Sequence, residues 1–140
     1  MKLRNSTKAI IIEDNRVLVT KLHDENGIFY LLPGGGQEPS EKLTDCLVRE
    51  CIEETGYVIK VQELLRECFK DKDIHRVEFI FKGNIVRETE VMGMDKDQLG
   101  IEWIVLDNIL NEPLFPTELS TLIKSYHNGY HKNTYIGEIN

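Results

Sequence analysis

Apolar positions recur along the chain with two different periods, and the changes of period divide it into strands and helices. Thr7–Ile12 and Arg16–Lys21 are β-rich runs joined by the turn-forming Glu13-Asp14-Asn15, which predicts a hairpin. Phe29-Tyr30-Leu31-Leu32 reads as a third strand, ended by Pro33 and three glycines. A helix is predicted next, with Ser40 as N-cap, Glu41 in the first turn and Gly56 as its stop. Tyr57–Val61 and Leu64–Phe69 read as extended. His75–Lys82 alternates, with Val77, Phe79 and Phe81 on one face, Arg76, Glu78 and Lys82 interleaved, and Ile80 breaking the pattern. Ile101, Trp103 and Val105 give another alternating strand. After Pro116, Leu119, Leu122, Ile123 and Tyr126 fall at helical spacing, and Gly129 follows. The tail from Tyr130 to Asn140, with Tyr135 and Ile136, is apolar enough to add a strand to this subunit or to a partner. Strands interleaved with two helices on a short chain predict an α/β or α+β layered sandwich.

Composition narrows the function classes. A chain of 140 residues with no internal repeat or linker-like stretch is expected to form one domain over residues 1–140. No apolar run approaches the roughly 20 residues that span a bilayer. Only Ala9 to Ile12 form an apolar run near the start, too short for a signal peptide, so the cytosol is the expected location. The net charge of −7 argues against a reader of nucleic-acid backbones. It is compatible with a polyanionic substrate, since a divalent cation reverses the local sign. Cys46, Cys51 and Cys68 show neither disulfide nor zinc spacing; Cys46 and Cys51 read as small apolar packing within the predicted helix.

The chemistry concentrates in residues 31–57, LLPGGGQEPSEKLTDCLVRECIEETGY. At about 100° per residue, Leu43, Cys46 and Leu47 begin an apolar stripe that Glu50, Glu53 and Glu54 then occupy. Like charges at i,i+4 repel. An acidic face turned to solvent would show the same repulsion, but here the acids interrupt the apolar stripe instead of lying opposite it. Hard oxygen ligands on one rigid helix suit Mg²⁺, with Mn²⁺ able to replace it, beside a substrate phosphate. Arg49 stands four residues from both Asp45 and Glu53 and can orient an acid without neutralising the cluster. Gly34-Gly35-Gly36 brings bare backbone close to a ligand, with Gly35 and Gly36 as candidate substrate contacts. No Gly-Lys-Ser/Thr follows, so the loop is not a P-loop.

This stretch resembles the Nudix box: Gly, five residues, Glu, seven residues, Arg-Glu, an apolar residue, any residue, Glu-Glu, any residue, Gly and an apolar residue. Gly35, Glu41, Arg49, Glu50, Glu53, Glu54 and Gly56 occupy the fixed positions, while Cys51 and Tyr57 stand where aliphatic residues are usual. The box covers residues 35–57. Leu32-Pro33-Gly34-Gly35-Gly36 resembles the usual approach to it, and Gly100-Ile101-Glu102-Trp103 with Leu106 resembles the family's later strand and short helical turn. The resemblance implies an α/β/α sandwich around a mixed sheet and Mg²⁺-dependent hydrolysis of a nucleoside diphosphate linked to another group. It implies that Glu50 and Glu54 ligate the metal, that Glu53 ligates a further metal or positions the attacking water, that Arg49 and Glu41 brace these acids, and that the Gly34 carbonyl completes the site.

Other residues are weighed against this reading. Asp97 and Glu102 are candidates for an additional acid outside the box. Trp103, Tyr30 and Phe29 read as core or strand packing before substrate stacking. His23, His75, His127 and His131 show no ligand spacing with one another and read as surface residues; Met92 and Met94 read as loop fillers. A non-catalytic nucleotide-sensing binder of the same fold is the alternative, and isomerase chemistry on a diphosphate a third reading. No length remains for an added DNA-binding domain, no membrane partner is expected, and a homodimer stays open. Asp73, Ile74 and His75 stand where relatives acting on ADP-ribose or dinucleoside polyphosphates carry Pro or Tyr. Oxidised nucleoside triphosphates, ordinary dNTPs, nucleotide sugars and capped RNA ends all stay open as substrates.

Overall fold

The structure, a computed structural model, describes residues 2–71, 74–90, 97–129 and 134–138. The elements run β1 (Lys2–Ile10), β2 (Ile12–Glu13), β3 (Arg16–Asp24), β4 (Gly27–Leu31), β5 (Gly34–Gly36), α1 (Leu43–Thr55), β6 (Tyr57–Asp71), β7 (Ile74–Glu88) and β8 (Gln98–Val105). A 3-10 turn over Leu106–Asn111, α2 (Glu118–His127) and β9 (Tyr135–Glu138) complete them. One sheet has the order β5-β1-β7-β6-β9 and is mixed, with β1–β7 and β6–β9 parallel. In the other, β3 carries β8 along one edge and β2 and β4 in succession along the other.

The hairpin predicted over Thr7–Ile12 and Arg16–Lys21 is only half formed. Asp14 and Asn15 turn with positive φ, but β2 alone pairs across that turn, while β1 joins β5 and β7 in the first sheet. The chain changes sheet at Ile11, a fully buried residue whose carbonyl accepts from the Leu18 N–H. A run of β-formers specifies strand conformation but not which neighbour it joins.

Alternation on the central strands shows how the layers form. Ile10, Val17, Val19, Ile80 and Ile104 pack with Leu106, Ile109, Leu119 and Ile123 on the α2 side. Ala9, Ile11, Leu18, Ile59 and Phe81 pack with Leu47 and Cys51 on the α1 side. Strands covered on both faces read as continuous apolar runs. Ile80, the residue that breaks the alternation of β7, is therefore fully buried. Each such side chain contributes roughly 1.5–3 kcal/mol on burial. Trp103 and Ile101 pack toward α1, with Trp103 edge-to-face on Tyr57, whereas Val105, in phase with them, is exposed. The two extended runs after the box form one strand with register shifts between Val61 and Leu64. The tail does add a strand to this subunit, β9 on β6. Met92, Met94, His131 and Tyr130 lie outside the described residues. No described helix is long and apolar enough to cross a membrane.

Candidate active site

The acids stand on α1, whose start differs from the expected one. Lys42, extended and without a side-chain cap bond, precedes the first helical residue, Leu43. Ser40 is not the N-cap; it has φ 65° and belongs to the turn before the helix. Glu41 is likewise outside the first turn, and its position has a consequence. Eight residues along a helix span about 12 Å, so a helical Glu41 could not reach Arg49. Placed in the loop, its carboxylate accepts from Arg49 Nε at 2.7 Å and from Nη2 at 3.0 Å, a bidentate pair. The helix ends at Gly56, in the left-handed conformation (φ 75°), with its N–H donating to the Ile52 carbonyl.

Arg49 gathers the cluster. Its Nη1 donates to Glu50 Oε1 at 3.0 Å and more loosely to both Glu53 oxygens at 3.4 Å, and its Nη2 to the Gly36 carbonyl at 3.2 Å. Asp45, the other acid one turn away, takes no part in this network among the described residues. The arginine holds the Glu41 carboxyl down to about 2, helped by the Glu38 N–H. Burial pushes the Glu50 carboxyl the other way, upward, with Arg49 opposing it. The two acids are thus differentiated by environment: Glu41 is a fixed anion, while Glu50 lacks enough cation for its degree of burial.

The glycine strand β5 fits around these acids. A β-carbon on Gly35 would lie 2.5 Å from the Glu50 carboxyl carbon, so only glycine leaves room for that carboxylate. Gly34 (φ 144°) lies hard against the Thr7 carbonyl, and its N–H donates to Glu54 Oε1 at 2.8 Å. Cys46 and Cys51 are buried beneath, with Thr7 Oγ1 donating to Cys46 Sγ. Burial raises both thiols, that of Cys51 well out of the reactive range, which leaves them as packing groups.

Glu41, Arg49, Glu50, Glu53, Glu54 and Gly34–Gly36 are therefore brought together, and the two outside acids are not. Glu102 projects from the Ile104 face of β8, away from α1, and meets Lys21 at 3.9 Å. Asp97 is exposed in the turn before β8. The residue that sequence reasoning passes over is Gln98. It is buried, and its Nε2 donates to the Glu54 carbonyl at 2.9 Å and to the Gly100 carbonyl at 3.0 Å, tying β8 to the acidic end of α1. No local pattern marks a contact spanning 44 residues. His23 and His127 are exposed, whereas His75 is half-buried and engaged.

The carboxylates as they stand are engaged internally, and among the described residues no three acidic, histidine or cysteine side chains converge as a closed metal site. Their chemistry nevertheless fits a hard cation: four carboxylates lie within 4.0 Å of one arginine, and the half-buried Glu50 is short of positive charge.

Comparison with known proteins agrees with this arrangement. Over 74 residues the chain is 35% identical to a nucleoside triphosphatase NudI of Escherichia fergusonii, a match covering 51% of this chain and 52% of the relative. The chain thus spans about half the length of the curated relatives it matches. A NUDIX hydrolase from Nitrosomonas europaea superposes with a TM-score of 0.80 at 22% identity, covering 93% of this chain and 92% of that one. A MutT protein from Methanosarcina mazei Go1 gives 0.73 at 22% identity, covering 94% and 97%. The sequence profile of the NUDIX domain matches residues 2–125, and with the box residues assembled around β5 and α1 this chain belongs to the Nudix hydrolase family.

Proposed function

We propose that this protein hydrolyses a diphosphate linkage in a nucleoside diphosphate-linked substrate, with water attacking phosphorus and Mg²⁺, or Mn²⁺ in its place, as cofactor. The observation that carries this reading is the placement of Glu50 and Glu54 against a side-chain-free strand, Gly34–Gly36, with Arg49 bonded to Glu50, Glu53 and the Gly36 carbonyl. Glu50 and Glu54 would hold the cation, with the Gly34 carbonyl completing the set. When bound, the cation neutralises charge on the diphosphate oxygens and acidifies water.

The chain's own residues do the rest. Glu41 fixes Arg49, and Arg49 fixes Glu50 and the Gly36 carbonyl, so acids and glycine strand move as one unit. Gly35 and Gly36 let the diphosphate approach bare backbone. Of the acids hydrogen-bonded to Arg49, Glu53 is bound most loosely and is the one free to orient the attacking water. The presence of every box acid favours hydrolysis over nucleotide sensing. The similarity to a nucleoside triphosphatase supports nucleoside triphosphates as the substrate class. We place the reaction in the cytosol, in line with the lack of a membrane-crossing helix among the described residues.

The test is a panel of nucleoside triphosphates and nucleotide sugars, assayed for phosphate and pyrophosphate release with Mg²⁺, with Mn²⁺ and in EDTA. Cation-dependent release is expected. Nucleotide binding without release under any condition would return the sensing reading.

A further inference from the structure

Residues 4, 6, 8 and 10 of β1 point away from α1, as the burial of Ile10 on the α2 side shows. Beyond Ile10 that face turns polar. Arg4, Ser6 and Lys8, with Arg76 and Glu78 of β7 and Gly36 of β5, line a cavity of about 100 Å³. Three observations there ask for a ligand. Arg4 and Arg76 are directly opposite one another on parallel strands, a like-charge pairing that costs stability when nothing lies between. Neither forms an ion pair or side-chain hydrogen bond with a described residue. The Ser6 hydroxyl is buried without a hydrogen-bond partner, in the same wall. Glu78, the acid of this wall, is already engaged.

We propose that this cavity binds a phosphoryl group, clamped between Arg4 and Arg76 and hydrogen-bonded by Ser6. The inference rests on the function proposed above and deepens it. β5 is the edge strand and lacks side chains, so its two faces are separated by backbone only: Gly35 faces Glu50, while Gly36 faces Arg4, whose Nη2 would be 3.4 Å from a β-carbon there. Lys8, which also lines the cavity, lies within electrostatic reach of Glu50. A polyphosphate chain can therefore pass round the glycine edge with one phosphate on each side. The occupant is either a further phosphate of the substrate or released inorganic phosphate.

The experiment uses the Arg4→Gln/Arg76→Gln double variant beside wild type. Metal-free protein is titrated with inorganic phosphate and followed by backbone amide NMR. Saturable shifts at Ser6 and Gly36 are expected in wild type and should be lost in the variant. Kinetics with a nucleoside triphosphate and the matching diphosphate then identify the source. A substrate phosphate predicts a KM rise on the order of tenfold for the triphosphate only, with kcat within about twofold. Released phosphate predicts unchanged KM values and weaker product inhibition in the variant. Absence of saturable shifts in wild type, or shifts that persist in the variant, would overturn the proposal. If no nucleotide is hydrolysed the proposed activity fails, while the titration still decides whether the cavity takes phosphate.

Discussion

Gly35 and Glu50 compete for one volume, since a β-carbon on the glycine would sit 2.5 Å from the carboxyl carbon of the acid. Gly35→Ala must therefore push Glu50 aside, and a flexible side chain yields more readily than backbone. The variant is expected to stay folded and lose about 100-fold or more in kcat/KM, with a weakened response to Mg²⁺. Gly34→Ala should fail differently. Its β-carbon would lie 1.9 Å from the Thr7 carbonyl oxygen at a φ of 144°, so the cost falls on the fold, on the order of 2 kcal/mol or more. Denaturant melts and steady-state kinetics on both variants check the split. Equal stability losses would mean that Glu50 is as rigid as the Thr7 backbone.

Arg49→Lys tests whether the arginine positions the acids by geometry or only by charge. An ammonium cannot make the bidentate pair with Glu41 while also reaching Glu50 and the Gly36 carbonyl. The expected loss is roughly 10–100-fold in kcat, typical when a group that orients metal ligands is removed, with stability lowered by about 1 kcal/mol. Activity retained within twofold would show that positive charge alone suffices.

The acid side of the stability curve should carry the signature of Glu41. Its carboxyl is held at about 2 in the folded chain, chiefly by Arg49, against an ordinary value in the low fours. A depressed folded value makes the anion stabilising. That contribution is complete above the ordinary value and is lost as pH falls from there toward 2. Glu41→Gln should be less stable than wild type at pH 7, and the two curves should converge below pH 4. Urea melts across this range measure it; a constant gap down to pH 2.5 would disconnect Glu41 from the acid transition.

How much of this was legible in the sequence follows from the range of each interaction. The acidic arc on α1 is set by helical period and lies where the spacing puts it, whereas the three glycines, which read as a loop, form the edge strand β5 by pairing with β1. The start of α1 is not, because Ser40 and Glu41 fit an N-cap and first turn as well as they fit the loop they occupy. The decision there lies with Arg49, which draws Glu41 off the helix axis. The first run reads as a hairpin arm because its partners, β5 and β7, follow it by dozens of residues. Gln98 and the Arg4–Arg76 juxtaposition stayed hidden for the same reason.

The last expectation separates a metal site from a merely acidic helix end. Glu54 Oε1 accepts from the Gly34 N–H, and glutamine keeps an oxygen for that bond. Glu54→Gln should therefore leave the fold intact and, with one like charge fewer beside Glu50, stabilise the metal-free protein slightly. With metal, wild type should gain about 2.7 kcal/mol at a hundredfold excess over Kd, on the order of several degrees in Tm for a domain of this size. The variant should lose most of that gain together with its activity. Thermal melts of both proteins in EDTA and in saturating Mg²⁺ are the measurement. Equal Mg²⁺ shifts with equal activity would remove Glu54 from the site altogether. Equal shifts with lost activity would instead give Glu54 the orienting of water, and Glu53, held by Arg49 only at 3.4 Å, would take its place as a ligand.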